Sequence, residues 1–168
     1  MNDDMKIAQD TGSHFELDDV SSRSLMSELL ARPLFAHLAT ASEAGPRESP
    51  VWFLWEAEAL WIIGNYRTDT FPGRIEREPL CAIGIVEFDV STGLVQHLGF
   101  RGRARLETHD EERMKRLLSR YLGKDLSQWD SRFVEILGDT DYIFVRFEPE
   151  TAVVRDQSYI VRSGVVCD

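Results

Sequence analysis

The sequence predicts a mainly β fold, a six-stranded antiparallel β-barrel with peripheral α-helices. Three observations predict it. Short apolar segments separated by turn residues follow one another at residues 34–40, 50–56, 59–64, 80–89, 94–107 and 142–147. Helical periodicity is confined to a few stretches that do not alternate regularly with these segments, which argues against a parallel α/β sheet. No repeat or linker-like tract divides the 168 residues, a length that fits one domain with a sizeable core. Residues 1–20 are polar and acidic and read as a flexible N-terminal arm, leaving residues 21–168 as the folded domain.

The elements follow in order. Ser21 or Ser22 is placed to cap a first helix, whose Leu25, Met26, Leu29 and Leu30 recur at helical spacing until Pro33. The first strand, 34–40, ends at the turn Glu43-Ala44-Gly45-Pro46, and strands 50–56 and 59–64 are joined by a tight hairpin at Glu56-Ala57-Glu58. Residues 65–79 differ in kind. Thr68, Asp69 and Thr70 are all good N-caps, Pro72 suits a first helical turn, and a short helix then runs to Pro79. A strand followed by a helix N-terminus is a geometry that favours an anion. Residues 80–89 form a nearly continuous apolar strand, and Ser91-Thr92-Gly93 turns the chain into the long strand 94–107. Thr108 and Glu111 have capping-box spacing for a helix striped with Met114, Leu117, Leu118, Tyr121 and Leu122 and ended by Gly123. Trp129, Phe133, Ile136 and Leu137 mark a second helical stretch, and strand 142–147 is expected to stop at Pro149 with extended chain beyond.

Composition narrows the function. A formal net charge of −10 argues against a nucleic-acid footprint. No apolar run approaches the roughly 20 residues that span a bilayer, so no membrane association is expected. The N-terminus carries Asp3, Asp4 and Asp10 rather than a basic segment followed by an apolar one, so a secretory signal is not expected and the expected location is the cytoplasm. Cys81 and Cys167 lack metal or redox spacing; Cys81 lies in an apolar run and reads as core. The four histidines, His14, His37, His97 and His109, are scattered, so no metal is expected. P-loop, dinucleotide-fingerprint, metal-helix and nucleophile-elbow motifs are missing, so any reactive chemistry is expected to belong to a cofactor. Arg101, Arg103 and Arg105 share one face of a strand, either as a salt-bridged surface or as a local anion site.

The order of segments resembles a known family. Ala39-Thr40-Ala41 before a glycine-containing turn, then Ser49-Pro50-Val51-Trp52-Phe53, then the hairpin to Leu60-Trp61-Ile62-Ile63, is similar to the FMN-binding split β-barrels related to pyridoxamine 5'-phosphate oxidase. The capped helix ending in Arg77-Glu78-Pro79, the strand from Cys81 to Val86 and Phe100-Arg101-Gly102-Arg103-Ala104 continue the likeness over residues 23–155.

The resemblance implies a homodimer with FMN at its interface. Its ring would lie against Pro50, Val51 and Trp52 and be bordered by Gly64 and Asn65; its phosphate would be held between Thr68 and Arg74, with Arg67, Thr70 and Arg74 as donors. Phe71 stands where the oxidase pattern has a lysine or arginine, which leaves either a rearranged phosphate site or a barrel without FMN. His97 falls where relatives place a polar side chain beside the flavin, and Arg155 where the second subunit contributes a residue. The implied function is an FMN-dependent oxidoreductase whose cofactor accepts a hydride or two electrons from a reduced partner, a nicotinamide or a small organic substrate, and passes them on. The alternatives are a non-catalytic dimer that stores or senses flavin or haem, with His97 or His37 as iron ligand, and a deazaflavin-dependent reductase.

Overall fold

The computed structural model describes residues 19–161, so most of the expected arm, and Cys167, lie outside the described residues. The first helix, α1, is Val20–Ala31, and its N-cap is Asp19, which accepts a hydrogen bond from the Ser22 amide at 3.0 Å. Asp19 takes the capping role expected of Ser21 or Ser22, and the fold therefore begins a residue or two earlier than expected.

Seven strands form one antiparallel sheet: β1 Ala36–Thr40, β2 Arg47–Val51, β3 Leu54–Glu56, β4 Ala59–Asn65, β5 Leu80–Asp89, β6 Leu94–Glu107 and β7 Tyr142–Asp156. Their order is β2-β1-β5-β6-β7-β4-β3. The two edge strands are therefore consecutive in sequence, separated only by Trp52 and Phe53. From Val51 to Leu54 the chain can reach at most about 11 Å, so the two edges must stand side by side, and the sheet closes on itself. This closure explains the seventh strand. The expected strand 50–56 leaves β1 as a partner at Val51 and takes up β4 at Leu54, with Phe53 turned wholly inward between them.

The other departures also come from pairing partners distant in sequence. Pro149 does not end β7: it pairs with Gly102 beside a register shift, across which Arg101 pairs with Thr151, and such irregularities are where a sheet accommodates proline. A Cβ at Gly102 would lie 2.1 Å from the carbonyl oxygen of Glu148, so the glycine is required by the close approach of β7. The helix α3, Glu111–Leu122, is capped by Asp110, which accepts from the Arg113 amide at 2.9 Å, and not by Thr108. Residue 109 is held outside the helix: the His109 ring nitrogens meet the carbonyls of Tyr142 and Leu137 at 3.0 and 2.8 Å.

Two apolar clusters result. One fills the barrel with Leu38, Phe53, Leu60, Ile62, Ile85, Leu98 and Phe147, closed by Leu29 and Leu30 of α1. The other joins the outer side of β4 and β7, through Trp61 and Phe144, to Met114, Leu117 and Leu118 of α3. Strand β4 is thus covered on both faces, which is why its sequence is apolar without alternation. Cys81 is buried in the first cluster, and burial, with Glu78 nearby, pushes its thiol up to about 11.

Candidate functional site

Pro50, Val51 and Trp52 come together with Phe71 on one wall of a cleft of about 460 Å³. The volume is in the range of small-ligand sites. The lining also includes Leu117 and Leu118 of α3, Phe133 of α4, Ser131–Glu135, and Ile136 just beyond it. Trp52 stacks on Tyr121 with ring centroids 4.5 Å apart and on Phe133 at 5.6 Å. The Tyr121 hydroxyl accepts from the Phe53 amide at 3.1 Å and donates to the Leu34 carbonyl at 2.8 Å. It thereby satisfies backbone groups stranded where the chain switches sheet edges. Since β2 is an edge strand, alternate backbone groups along it have no strand partner on their outer side.

At the other end of β1 and β2 lies the second part of the site. The short helix α2, Phe71–Arg77, follows the turn after β4. Arg74 on it is only 9 % exposed. Its Nε donates to the Thr40 hydroxyl and its Nη1 to the Thr70 hydroxyl, both at 2.7 Å. No carboxylate among the described residues pairs with it. A buried guanidinium held only by neutral hydroxyls carries an uncompensated charge, an arrangement that gains from an anion. Thr40 was not singled out in the sequence; it stands opposite Arg47 of β2, a further exposed cation at this corner.

Phe71 supplies no charge here. Its ring is 7 % exposed and packs on Gly64, where a Cβ would stand 3.0 Å away, so Gly64 is needed for that contact. Asn65 and Arg67 are both engaged within the chain. The Asn65 side-chain oxygen accepts from the amides of Arg67 and Thr68 at 2.8 and 3.3 Å, and its own amide donates to Asp69 at 2.7 Å. Such bonds build the turn itself. Arg67, its side chain 77 % exposed, pairs with Asp141 at 3.0 Å.

His97 is not brought to the cleft. It lies on β6 opposite Arg155 of β7, half-buried on the outer face of the sheet. Burial, with the Arg155 guanidinium beside it, pushes its imidazole below the usual value. A Cβ at Gly99 would approach the ring to 3.1 Å, so this glycine makes room for it. Farther along β6, Arg103 pairs with Glu150 at 2.9 Å and Arg105 with Glu148 and Glu107 at 2.9 and 2.8 Å. Two of the three arginines on this face thus belong to a salt-bridged surface.

The fold has close structural counterparts. A conserved hypothetical protein from Mycobacterium tuberculosis superposes with a TM-score of 0.68 at 15% identity, over 90% of this chain and 98% of its own. An FAD-binding protein from Mesorhizobium loti gives 0.57 at 15% identity, over 79% and 92% of the two chains. The haem storage protein HutZ from Vibrio cholerae gives 0.60 at 17% identity, over 79% and 94%. At such identities the likeness is one of fold. No curated protein matches the chain. The family model for pyridoxamine 5'-phosphate oxidase, however, matches residues 24–154, spanning every element from α1 through most of β7, and the chain belongs to that family.

Proposed function

We propose that the protein binds FMN as a homodimer and uses it as an oxidoreductase, taking electrons from a small-molecule substrate or a reduced nicotinamide. The observation that carries this reading is Arg74, a buried cation without a carboxylate, set between Thr40 and Thr70 beside the sheet edge that leads to the cleft. The residues present fit the cofactor in a rearranged form. Arg74 and Thr70 would hold the phosphate that Phe71 cannot, and the unpaired edge of β2 at Pro50, Val51 and Trp52 would hydrogen-bond the ring. A flavin bound there supplies reversible two-electron chemistry. The chain's part is to grip and orient: Phe71, Trp52 and the α3 leucines make an apolar surround, and the outer edge of β2 offers backbone groups to the ring's polar edge.

Dimerisation is supported by the outer face of β5 and β6. Val86 and Phe88 are exposed there, 49 and 60 %, beside the small residues Ala82, Gly84 and Gly99. A second copy covering that face would bury His97 and Arg155 and bring them toward a partner's cleft, which a single chain does not do. A second reading, flavin or haem held without turnover, rests on His97, since burial favours the neutral imidazole that ligates iron.

Titration of the protein with FMN tests the proposal. Arg74→Ala is expected to weaken binding by about 1–3 kcal/mol, roughly 5- to 150-fold, as for loss of a charge-assisted hydrogen bond. Equal affinity in both proteins would remove Arg74 from the site. A Soret band in the purified protein, with no flavin uptake, would select the second reading.

A further inference from the structure

We propose that α4 is a flap over the cleft: Phe133 holds the face of Trp52 that a flavin ring takes, and residues 130–136 lift between Trp129 and Leu137 to give it up. The inference deepens the flavin reading and rests on it only for the identity of the ring.

The aromatic side chains of the cleft are stacked on one another. Trp52 carries Tyr121 at 4.5 Å, with the rings 3° from parallel, and Phe133 at 5.6 Å, 25° from parallel. Two stacked neighbours leave the indole no face for a third ring, so a planar ligand reaches it only by replacing one of them. Tyr121 is the fixed neighbour. It belongs to the 12-residue helix α3, and its hydroxyl is bonded to the Phe53 amide and the Leu34 carbonyl at 3.1 and 2.8 Å.

Phe133 is the removable one. Its helix has 5 residues, none of them buried. Among the described residues, the hydrogen bonds and ion pair of residues 130–136 all close within 130–139. The Phe133 amide donates to the Asp130 carbonyl at 3.0 Å, the Arg132 amide to the Asp130 carboxylate at 3.1 Å, and the Asp139 amide to the Ile136 carbonyl at 3.2 Å. The Arg132 guanidinium, 3.8 Å from Asp130, stays within the same stretch. What ties this stretch to the body is the packing of Phe133 and Ile136 on the second apolar cluster.

The two ends are held far more firmly. Trp129 is buried, and its indole N–H donates to the Gly123 carbonyl at the end of α3 at 2.9 Å. Leu137 is buried too, and its carbonyl meets a His109 ring nitrogen at 2.8 Å. A short helix carried between two buried anchors, with no hydrogen bond crossing to the body, opens without unfolding its neighbours. A ring that binds only where Phe133 has left is weakened by the fraction of time the flap is closed. Removing the Phe133 ring therefore strengthens binding, whereas removing a ligand wall would weaken it. The sign separates the two roles.

The test titrates FMN, and lumiflavin as the same ring without the ribityl phosphate, into the full chain and its Phe133→Ala variant. Both probes are expected to bind the variant about 2- to 10-fold tighter, the weight of one aromatic stack, through faster association. Equal or weaker binding by the variant overturns the flap, and where FMN is the probe that binds both proteins alike the flavin reading still stands. Lumiflavin held more tightly by the variant, with FMN taken up by neither protein, keeps the flap and removes the FMN reading. Failure of both probes on both proteins overturns the two together. Should the alanine variant not fold, Phe133→Leu keeps apolar bulk without the ring and is expected to shift both affinities in the same direction. Hydrogen exchange of the wild-type chain reads the motion itself. The amides of residues 131–136 should open together while those of Leu117 and Leu118 stay protected, and exchange of both stretches at one rate overturns the flap.

Discussion

The α2 corner and the β6–β7 seam are both furnished with arginine, and they use it in opposite ways. On the seam, Arg103 and Arg105 stand in water with carboxylates closed on them at 2.8–2.9 Å. At the corner, Arg74 is buried, and its partners are two hydroxyls. Exposed pairs are worth little to stability and leave no charge for a ligand. A buried, uncompensated cation is costly to the fold and is retained where something anionic repays it. Of the two readings open for the arginine cluster, Arg103 and Arg105 take the salt-bridged one, whereas Arg74 has no carboxylate partner among the described residues. The seam should matter to folding, and the corner to binding.

The largest effect expected from this contrast falls on the seam. Gly102→Ala places a Cβ 2.1 Å from the Glu148 carbonyl, which is backbone and cannot swing aside. A loss of about 3–5 kcal/mol, or failure to fold, is expected in urea denaturation. Near-wild-type stability would mean that β7 can shift, and that the seam is not the rigid half of the molecule.

Next in size is the converse experiment at the corner. Arg74→Met removes the buried charge but keeps an unbranched side chain. The flavin-free protein should lose less than about 1 kcal/mol, or gain stability, because no carboxylate is left unpaired. FMN affinity should nevertheless fall by about 1–3 kcal/mol. A variant that unfolds would show that Arg74 belongs to the fold after all, and the comparison would collapse.

Much of this architecture is legible in the sequence, because strand and helix periodicities are local. The hairpin at Ala57-Glu58, the apolar run of β4 and the stripe of α3 need no knowledge of distant residues. The breaks come where a partner lies far along the chain. The switch from β2 to β3 has no local marker; it exists because the barrel closes there, and Tyr121, 68 residues away, satisfies the Phe53 amide. Thr40 was overlooked for the same reason, since its bond to Arg74 spans 34 residues. The turn after β4 is legible locally as well, since the Asn65 side chain accepts from the amide two residues on.

A gentler effect separates the two faces of the sheet by pH. The His97 imidazole titrates near 6.5 when unfolded and lower when folded, because of burial and then of Arg155. Between those two values the unfolded chain binds more protons, so stability rises with pH there. The contribution of neutral His97 is complete above about 6.5 and is lost as pH falls through the folded value. Acidification should therefore lower the urea midpoint in that window, and His97→Gln should flatten the dependence. An unchanged slope in the variant would show that His97 is well solvated in the assembled protein, contrary to the covered outer face proposed for it.

The smallest effect is expected from Arg103→Ala, and it tests the comparison from its quiet side. Arg103 is joined to Glu150 in a single exposed pair, and its side chain reaches neither the cleft nor the corner. Losing it should change stability by no more than about 0.5 kcal/mol, and less in high salt, because solvent already screens both charges. FMN affinity should not move. If it fell as far as in the Arg74 variants, then Glu150 would be a partner that gives way to the ligand, and exposure with a carboxylate alongside would no longer distinguish a surface arginine from a binding one. The rule that singled out Arg74 would have to be replaced by one based on the field of the whole β6 face, where three arginines act together rather than one alone.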